Sequence, residues 1–301
     1  MSSNDLPPPS SNVISLAYVE IVLSAIFLPL VGFIAWKHGK AGMACWQIYM
    51  TAFVAKLVAN IYLIVNKEKP YSPTVVSNIT DSGVIATISL GIIGIVYEAN
   101  TILPQQAKKW NDKIILGVTH LAITGGIAAA TYGGSPSATG TGVANQALSR
   151  TGNLVLLFVL LAVCGWMWPT YKKTDRYSRS GNHPNAHAAR ILLWAGMAAI
   201  PSWLGRLIYM CLYAFNRQDT ALDPVTGSFA IKMLLFATLW TAASALTAGG
   251  WFSQAAMPAG GFLRARDGDR FDGSDDEAPL SRRRSGPDEV EMCVHVVRPK
   301  S

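Results

Sequence analysis

Residues 191–215 read ILLWAGMAAIPSWLGRLIYMCLYAF. The stretch is apolar over more than the ~20 residues a helix needs to cross ~30 Å of hydrocarbon, yet it carries one charge well inside, Arg206. An ionisable group at that depth costs at least ~2.5 kcal/mol unless it meets a partner or water. The stretch therefore reads as a membrane-spanning helix whose arginine must face something polar. Pro201 lacks an N–H and its ring crowds the preceding turn, which predicts a kink in the same helix.

The same pattern recurs outward from this segment. Half of the residues are hydrophobic and 14% are charged, against roughly a quarter charged in a soluble domain, and the charges cluster in short runs between apolar blocks. These blocks delimit spans at 13–36, 43–65, 75–97, 114–132, 151–171, 191–215 and 229–252. The expected fold class is an all-α seven-transmembrane-helix bundle occupying residues 13–252. Residues 1–12 are polar and proline-rich, and 253–301 are charged, glycine-rich and aperiodic; both read as disordered tails. The opening MSSNDLPPPSSN has no basic n-region and the apolar run after it exceeds a signal h-region, so the first span reads as its own insertion signal. KHGK at 37–40 reads as a tight basic turn, and Gly125, Gly126, Ala129 and Ala130 give the small-xxx-small spacing that lets helices approach closely.

Lys37, Lys40, Lys108, Lys109, Lys113, Lys172, Lys173, Arg176, Arg179 and Arg190 fall on one set of loops, whereas Lys67, Lys69, Arg150 and Arg217 fall on the other. The basic set is expected to be cytoplasmic, which puts the N-terminus outside and the C-terminus inside. Trp36, Trp46, Trp110, Trp166, Trp168, Trp194 and Trp251 all fall at that basic boundary, as an interfacial belt would. The expected location is a multi-pass position in the plasma membrane or an endomembrane. The formal charge of +7 is explained by this topology, since the basic residues flank apolar spans without stacking aromatics in a shared groove; the partner is the bilayer and not nucleic acid. Cys45, Cys164, Cys211 and Cys293 include no loop pair, so no disulfide framework is expected.

Four charges lie at one height. Counting ~1.5 Å of rise per residue, Glu20, Lys56, Asp81 and Arg206 each sit about 10–14 Å below the non-basic boundary. Asn60 shares the face of Lys56, while Tyr209 and Tyr213 share that of Arg206. These residues either form interhelical pairs that fix packing or line an outward-opening polar pocket between spans one, two, three and six, with Glu20 or Asp81 pairing Lys56 or Arg206. Intramembrane charges ordinarily face a cavity or one another.

Other candidates carry less. His120 is the one histidine within a span, and haem or zinc needs more ligands than it supplies. His183 and His187 form a two-ligand spacing in a loop. Lys232 lies within a turn of a boundary and has no carboxylate one turn before it, unlike a retinal-binding lysine. Asn78-Ile79-Thr80 is a glycosylation sequon placed too close to the membrane. Arg282 to Ser285 reads RRRS, a basophilic kinase pattern at Ser285 that also suits anionic lipid. No phosphate loop, dinucleotide fingerprint, HExxH or GxSxG is found, and no catalytic residue, metal or cofactor is assigned.

Arg206 with Tyr209, Asn216-Arg217 and the Pro224…Gly227 element before the last span resemble a group of fungal seven-span proteins known mainly as a domain of unknown function. A more distant similarity is to fungal lipid-translocating exporter-like proteins of the aminocholesterol-resistance type, whose sixth span looks like R-x-x-Y-R-x-x-E. Arg206 and Tyr209 match that pattern, while Met210 and Tyr213 replace its second Arg and its Glu. Seven spans also look like a G-protein-coupled receptor, but Tyr97-Glu98-Ala99-Asn100 stands where a DRY-like triplet is expected, and NPxxY and the loop cysteine pair are missing. The expectation is a protein that senses or binds a small or lipidic ligand through Glu20, Lys56, Asn60, Asp81, Arg206, Tyr209 and Tyr213. The alternatives are a lipid translocator or transporter, and a scaffold acting through its cytoplasmic tail.

Overall fold

A computed structural model describes residues 9–68, 75–103, 109–135, 137, 143–180, 185–217, 219–223 and 227–254. Ser285, Cys293, His183, Pro224 and almost all of the C-terminal tail lie outside the described residues. The described chain is helical, with α1 Ser11–Gly39, α2 Cys45–Val65, α3 Val75–Thr101, α4 Lys109–Gly134, α5 Gln146–Ser180, α6 Ala186–Phe215 and α7 Phe229–Gln254. A short 3-10 turn, Thr220–Leu222, precedes α7. All seven helices contain a segment long and apolar enough to cross a membrane.

The first two helices belong to one continuous helical run that Gly39 folds back, with φ 62° and ψ −155°. That backbone region is costly for any residue with a Cβ, so the glycine of KHGK is what allows the reversal. Several helices continue beyond their apolar stretches. The α5 helix runs through Tyr171 to Ser180 because nothing in KKTDRYSR breaks it and each added residue closes one more backbone hydrogen bond; Asp175 and Arg179 pair one turn apart at 2.8 Å. The α6 helix begins in the alanine-rich Ala186–Arg190, which has strong helix propensity. Pro201 stands inside α6 without interrupting the helix, as Pro29 and Pro169 do in theirs.

The α3 helix is the centre of the bundle. In its most apolar window 72% of the residues are buried, against 44% or less in each of the other six helices, and it packs against the α1–α2 run and against α4, α5, α6 and α7. Val84, Ile85, Ile88, Ile92, Ile93, Ile95 and Val96 supply its buried faces. Close approach is bought with small residues: a Cβ on Gly94 would run into Cys45 of α2, and one on Gly250 would run into Trp46. Of the small-residue run in α4, Gly126 and Ala130 meet Gly152 of α5, whereas Gly125 faces open space.

The outside of the bundle is apolar. Tyr18, Val19, Val22 and Ile26 on α1, and Ile114, Val118 and Leu121 on α4, are exposed. Such a surface is compatible with hydrocarbon and not with water, and helices satisfy every interior backbone group by themselves, as a bilayer requires. The chain is a multi-pass membrane protein. The tryptophans divide: Trp36, Trp168, Trp194 and Trp251 are exposed like a belt, but Trp46 and Trp166 turn inward. Their indole N–H groups bind acidic side chains that sequence position does not reveal as their partners.

Candidate functional site

Glu20 of α1 is buried and fully occupied. Both its oxygens face Lys56 Nζ, at 3.3 and 3.1 Å, and Oε2 also accepts a hydrogen bond from Asn60 Nδ2 at 2.9 Å. Lys56 and Asn60 are one turn apart on α2, so a single helix face delivers both donors to one carboxylate. The triplet is a closed, neutral pair with an amide added, the arrangement that lets charges persist at depth.

Arg206 of α6 is also buried, at 5% exposure, but it is poorly matched. Nη1 donates to the Leu235 carbonyl of α7 at 2.9 Å, and Nε has no partner. Leu235 O is already shared with Thr238 Oγ1, at 3.1 Å. The guanidinium stands 5.8 Å from the ring of Trp203. Asp81 of α3 is half-buried and makes no hydrogen bond or ion pair with the described residues; like Glu20, it lies within electrostatic reach of Arg206. Arg206 thus comes near both acids and pairs with neither.

Tyr209 and Tyr213 follow Arg206 up the same face and are taken up by the segment beyond α6. Tyr209 Oη donates to Leu222 O at 2.6 Å and Tyr213 Oη to Asp223 Oδ2 at 3.0 Å. Their rings lie parallel 6.3 Å apart, and Arg217 covers the ring of Tyr213 at 4.5 Å. Lys232, also buried, lies in the electrostatic reach of Asp223. Together these contacts fasten the 3-10 turn over the end of the bundle nearest Arg206.

A second polar cluster occupies the opposite, basic end. His38 of α1 and Glu98 of α3 meet at 2.5 Å between Nδ1 and Oε1, with neither side chain exposed. Trp46 Nε1 of α2 donates to Glu98 Oε2 at 2.9 Å, and His38 Nε2 donates to Gly250 O of α7 at 2.9 Å. A carbonyl only accepts, so Nε2 carries a proton. One further proton then lies in the bond between Nδ1 and Oε1, and the pair is neutral whether written as imidazolium with carboxylate or imidazole with carboxylic acid. Ser253 Oγ lies 3.3 Å from Nε2, which gives Glu98, His38 and Ser253 the order of a nucleophilic triad. The Nε2 proton is directed at Gly250, however, and Ser253 donates to that same carbonyl at 3.1 Å. Nε2 is therefore no acceptor for the serine proton, and the cluster is a latch joining four helices.

Beside it, Asn100 Nδ2 donates to Asp112 Oδ1 at 3.2 Å, Trp166 Nε1 to the same oxygen at 3.4 Å, and Lys173 Nζ to Asn100 O at 3.2 Å. Sequence reading treats His38, Glu98 and these tryptophans as boundary residues. The available signal was height: alternating spans put the end of span one and the end of span three at the same side, where a histidine and a glutamate stand. His120 and His187 are exposed, and among the described residues no three His, Cys, Asp or Glu side chains are grouped so as to hold a metal ion. Cys45, Cys164 and Cys211 are free.

A comparison with curated proteins gives no match. A family model described as a domain of unknown function, DUF7702, matches residues 11–246, from the first residue of α1 into α7, which covers both polar clusters except Gly250 and Ser253. The chain belongs to the DUF7702 family.

Proposed function

We propose that the protein binds a small or lipidic ligand in the half of the bundle around Arg206, and that this half faces the outside. The observation that carries the reading is the buried Arg206 Nε without an acceptor. A guanidinium offers five donors, and leaving one unmatched in a low-dielectric interior costs ~1–3 kcal/mol or more. A ligand bearing acceptor oxygens recovers that cost, whereas a purely structural arginine would be fully paired as Glu20 is. Asn60 and Lys56 then serve to hold Glu20, and Tyr209 and Tyr213 to hold the covering turn.

The test is Arg206→Met in the purified full chain, with native mass spectrometry of co-purifying small molecules and lipids. Wild type is expected to retain a bound species that the variant loses, with the melting temperature of the stripped protein unchanged or raised. Equal retention by the variant overturns the reading.

Lipid translocation is the second reading, favoured by the Arg206…Tyr209 spacing shared with the exporter-like proteins of fungi; a fungal source for this chain belongs to the same proposal. Lipidomics of a deletion strain separates the two. A lipid-asymmetry defect favours translocation, and an unchanged lipidome with a lost transcriptional response favours sensing.

A further inference from the structure

Arg206 is not the only buried donor without an acceptor in this half of the bundle. Ser24 Oγ on α1 and Trp240 Nε1 on α7 are also buried and unpartnered. Ser24 is wholly buried and Trp240 is 7% exposed. Ser24 lies one turn from Glu20 on one side and close to one turn from Phe27 on the other, and Phe27 packs edge-on against the indole of Trp240 at 5.3 Å. Trp240 in turn stands little more than one turn beyond Leu235, whose carbonyl receives Arg206 Nη1. Because helical side chains lean toward the N-terminus of their own helix, Ser24 and Trp240 both incline toward the level of Glu20 and Leu235. The α6 helix packs on α3, α5 and α7, and Arg206 lies within electrostatic reach of Glu20, one turn from Ser24.

A serine hydroxyl inside a helix ordinarily binds the carbonyl three or four residues before it. Thr87, Thr119, Thr170 and Thr174 do so here. Ser24 does not. Buried polar atoms in native structures are nearly always satisfied, by protein, water or ligand, and three unmatched donors in one region are a recognition pattern. Asp81 supplies the opposite demand, a carboxylate with no donor among the described residues.

Charge narrows the class. Glu20 and Lys56 cancel, and so do Asp81 and Arg206, so the group of four is neutral as it stands. A ligand with net charge would bring an uncompensated charge into a low-dielectric interior, which is strongly disfavoured. A zwitterion meets every requirement, with its anionic oxygens toward Arg206, Ser24 and Trp240 and its ammonium toward Asp81.

We infer that the region between Ser24, Arg206, Trp240 and Asp81 binds a net-neutral zwitterion in which a phosphodiester carries an ethanolamine ammonium. The inference rests on the ligand-binding reading above. The headgroup comes either from a phospholipid or from a soluble molecule.

The test uses the full chain, stripped of lipid in detergent and challenged separately with phosphatidylethanolamine, phosphatidylglycerol, phosphatidic acid and soluble glycerophosphoethanolamine, with retention read by native mass spectrometry. Phosphatidylethanolamine is expected to be retained at least tenfold better than the two anionic lipids; retention of soluble glycerophosphoethanolamine as well identifies a headgroup site independent of the acyl chains. Asp81→Asn is expected to abolish the preference for the amine-bearing lipid. Ser24→Ala removes only an unpartnered polar atom and should melt as wild type does; Trp240→Phe removes the unpartnered N–H together with part of a ring packed on Phe27, Phe53 and Phe236, so a lower melting temperature is expected for it, and both should retain several-fold less ligand. Preferential retention of the anionic lipids overturns the zwitterion and leaves the Arg206 site standing. Retention of phosphatidylethanolamine unaffected by Ser24→Ala, Trp240→Phe and Asp81→Asn overturns the assignment to these residues. Absence of any retention by wild type overturns this inference and the underlying reading together.

Discussion

His38 and Glu98, 60 residues apart in sequence, share one proton across a 2.5 Å bond inside the bundle, with no exposed atom on either side chain. The bond ties α1 to α3, and the other atoms of the same two side chains reach α2 through Trp46 and α7 through Gly250. Because the pair is neutral as a unit, it avoids the cost of a lone buried charge. That neutrality makes its response to substitution specific.

Glu98→Gln keeps the shape and can keep every bond, with the amide donating to His38 Nδ1 and its oxygen accepting from Trp46. Glu98→Leu strands both partners. The expected result is a loss within ~1.5 kcal/mol for Gln, the scale of one ordinary hydrogen bond, and ~3–5 kcal/mol for Leu, the scale of breaking a buried pair. Equilibrium unfolding in mixed micelles measures both, and equal losses would show that the pair is not neutral as a unit.

The inward and outward tryptophans should differ sharply. Trp46→Phe removes a buried donor to Glu98 and should cost ~1.5–3 kcal/mol, as for hydrogen bonds to charged groups. Trp168→Phe alters a side chain that is 62% exposed and should stay within ~0.5 kcal/mol. Thermal melts of the two variants in the same detergent decide the matter, and similar shifts would contradict the inward role of Trp46.

Close packing at the central helix is testable with one methyl group. Gly94→Ala drives a Cβ into Cys45 and should destabilise by ~1–3 kcal/mol through overpacking. Gly117→Ala meets nothing within 4 Å, so it should be neutral or slightly stabilising given alanine's higher helix propensity. A tolerated Gly94→Ala would mean that α2 and α3 do not approach as closely as described.

Glu20 and Lys56 form a coupled pair at 3.1 Å. Glu20→Gln and Lys56→Met should each destabilise by ~3–5 kcal/mol by leaving a buried charge uncompensated, and the double variant by less than their sum. A double-mutant cycle by chemical denaturation is expected to give a coupling of at least ~1 kcal/mol; strict additivity would rule out a working ion pair.

The seven helices were legible because hydropathy is local. Some twenty consecutive apolar residues must hide their backbone polar groups in hydrocarbon, and a helix is the one conformation that does so within a single segment. Height was open to the same kind of reasoning: a constant rise per residue leads to the expectation of similar depth for Glu20, Lys56, Asp81 and Arg206 without knowledge of any neighbour. Rotation about each helix axis was not. It depends on how α3 packs among the others, and it decides that Lys56 and Asn60 converge on Glu20 while Arg206 reaches a backbone carbonyl, an acceptor that every residue carries and that residue identity therefore cannot reveal. It also decides that Trp46 and Trp166 turn inward and that His38 meets Glu98. The sequence alone determined a bundle of seven membrane-spanning helices and raised the expectation that four charges share one depth; the tertiary structure decided that Lys56 and Asn60 satisfy Glu20 and left Arg206, Ser24 and Trp240 with donors unmet.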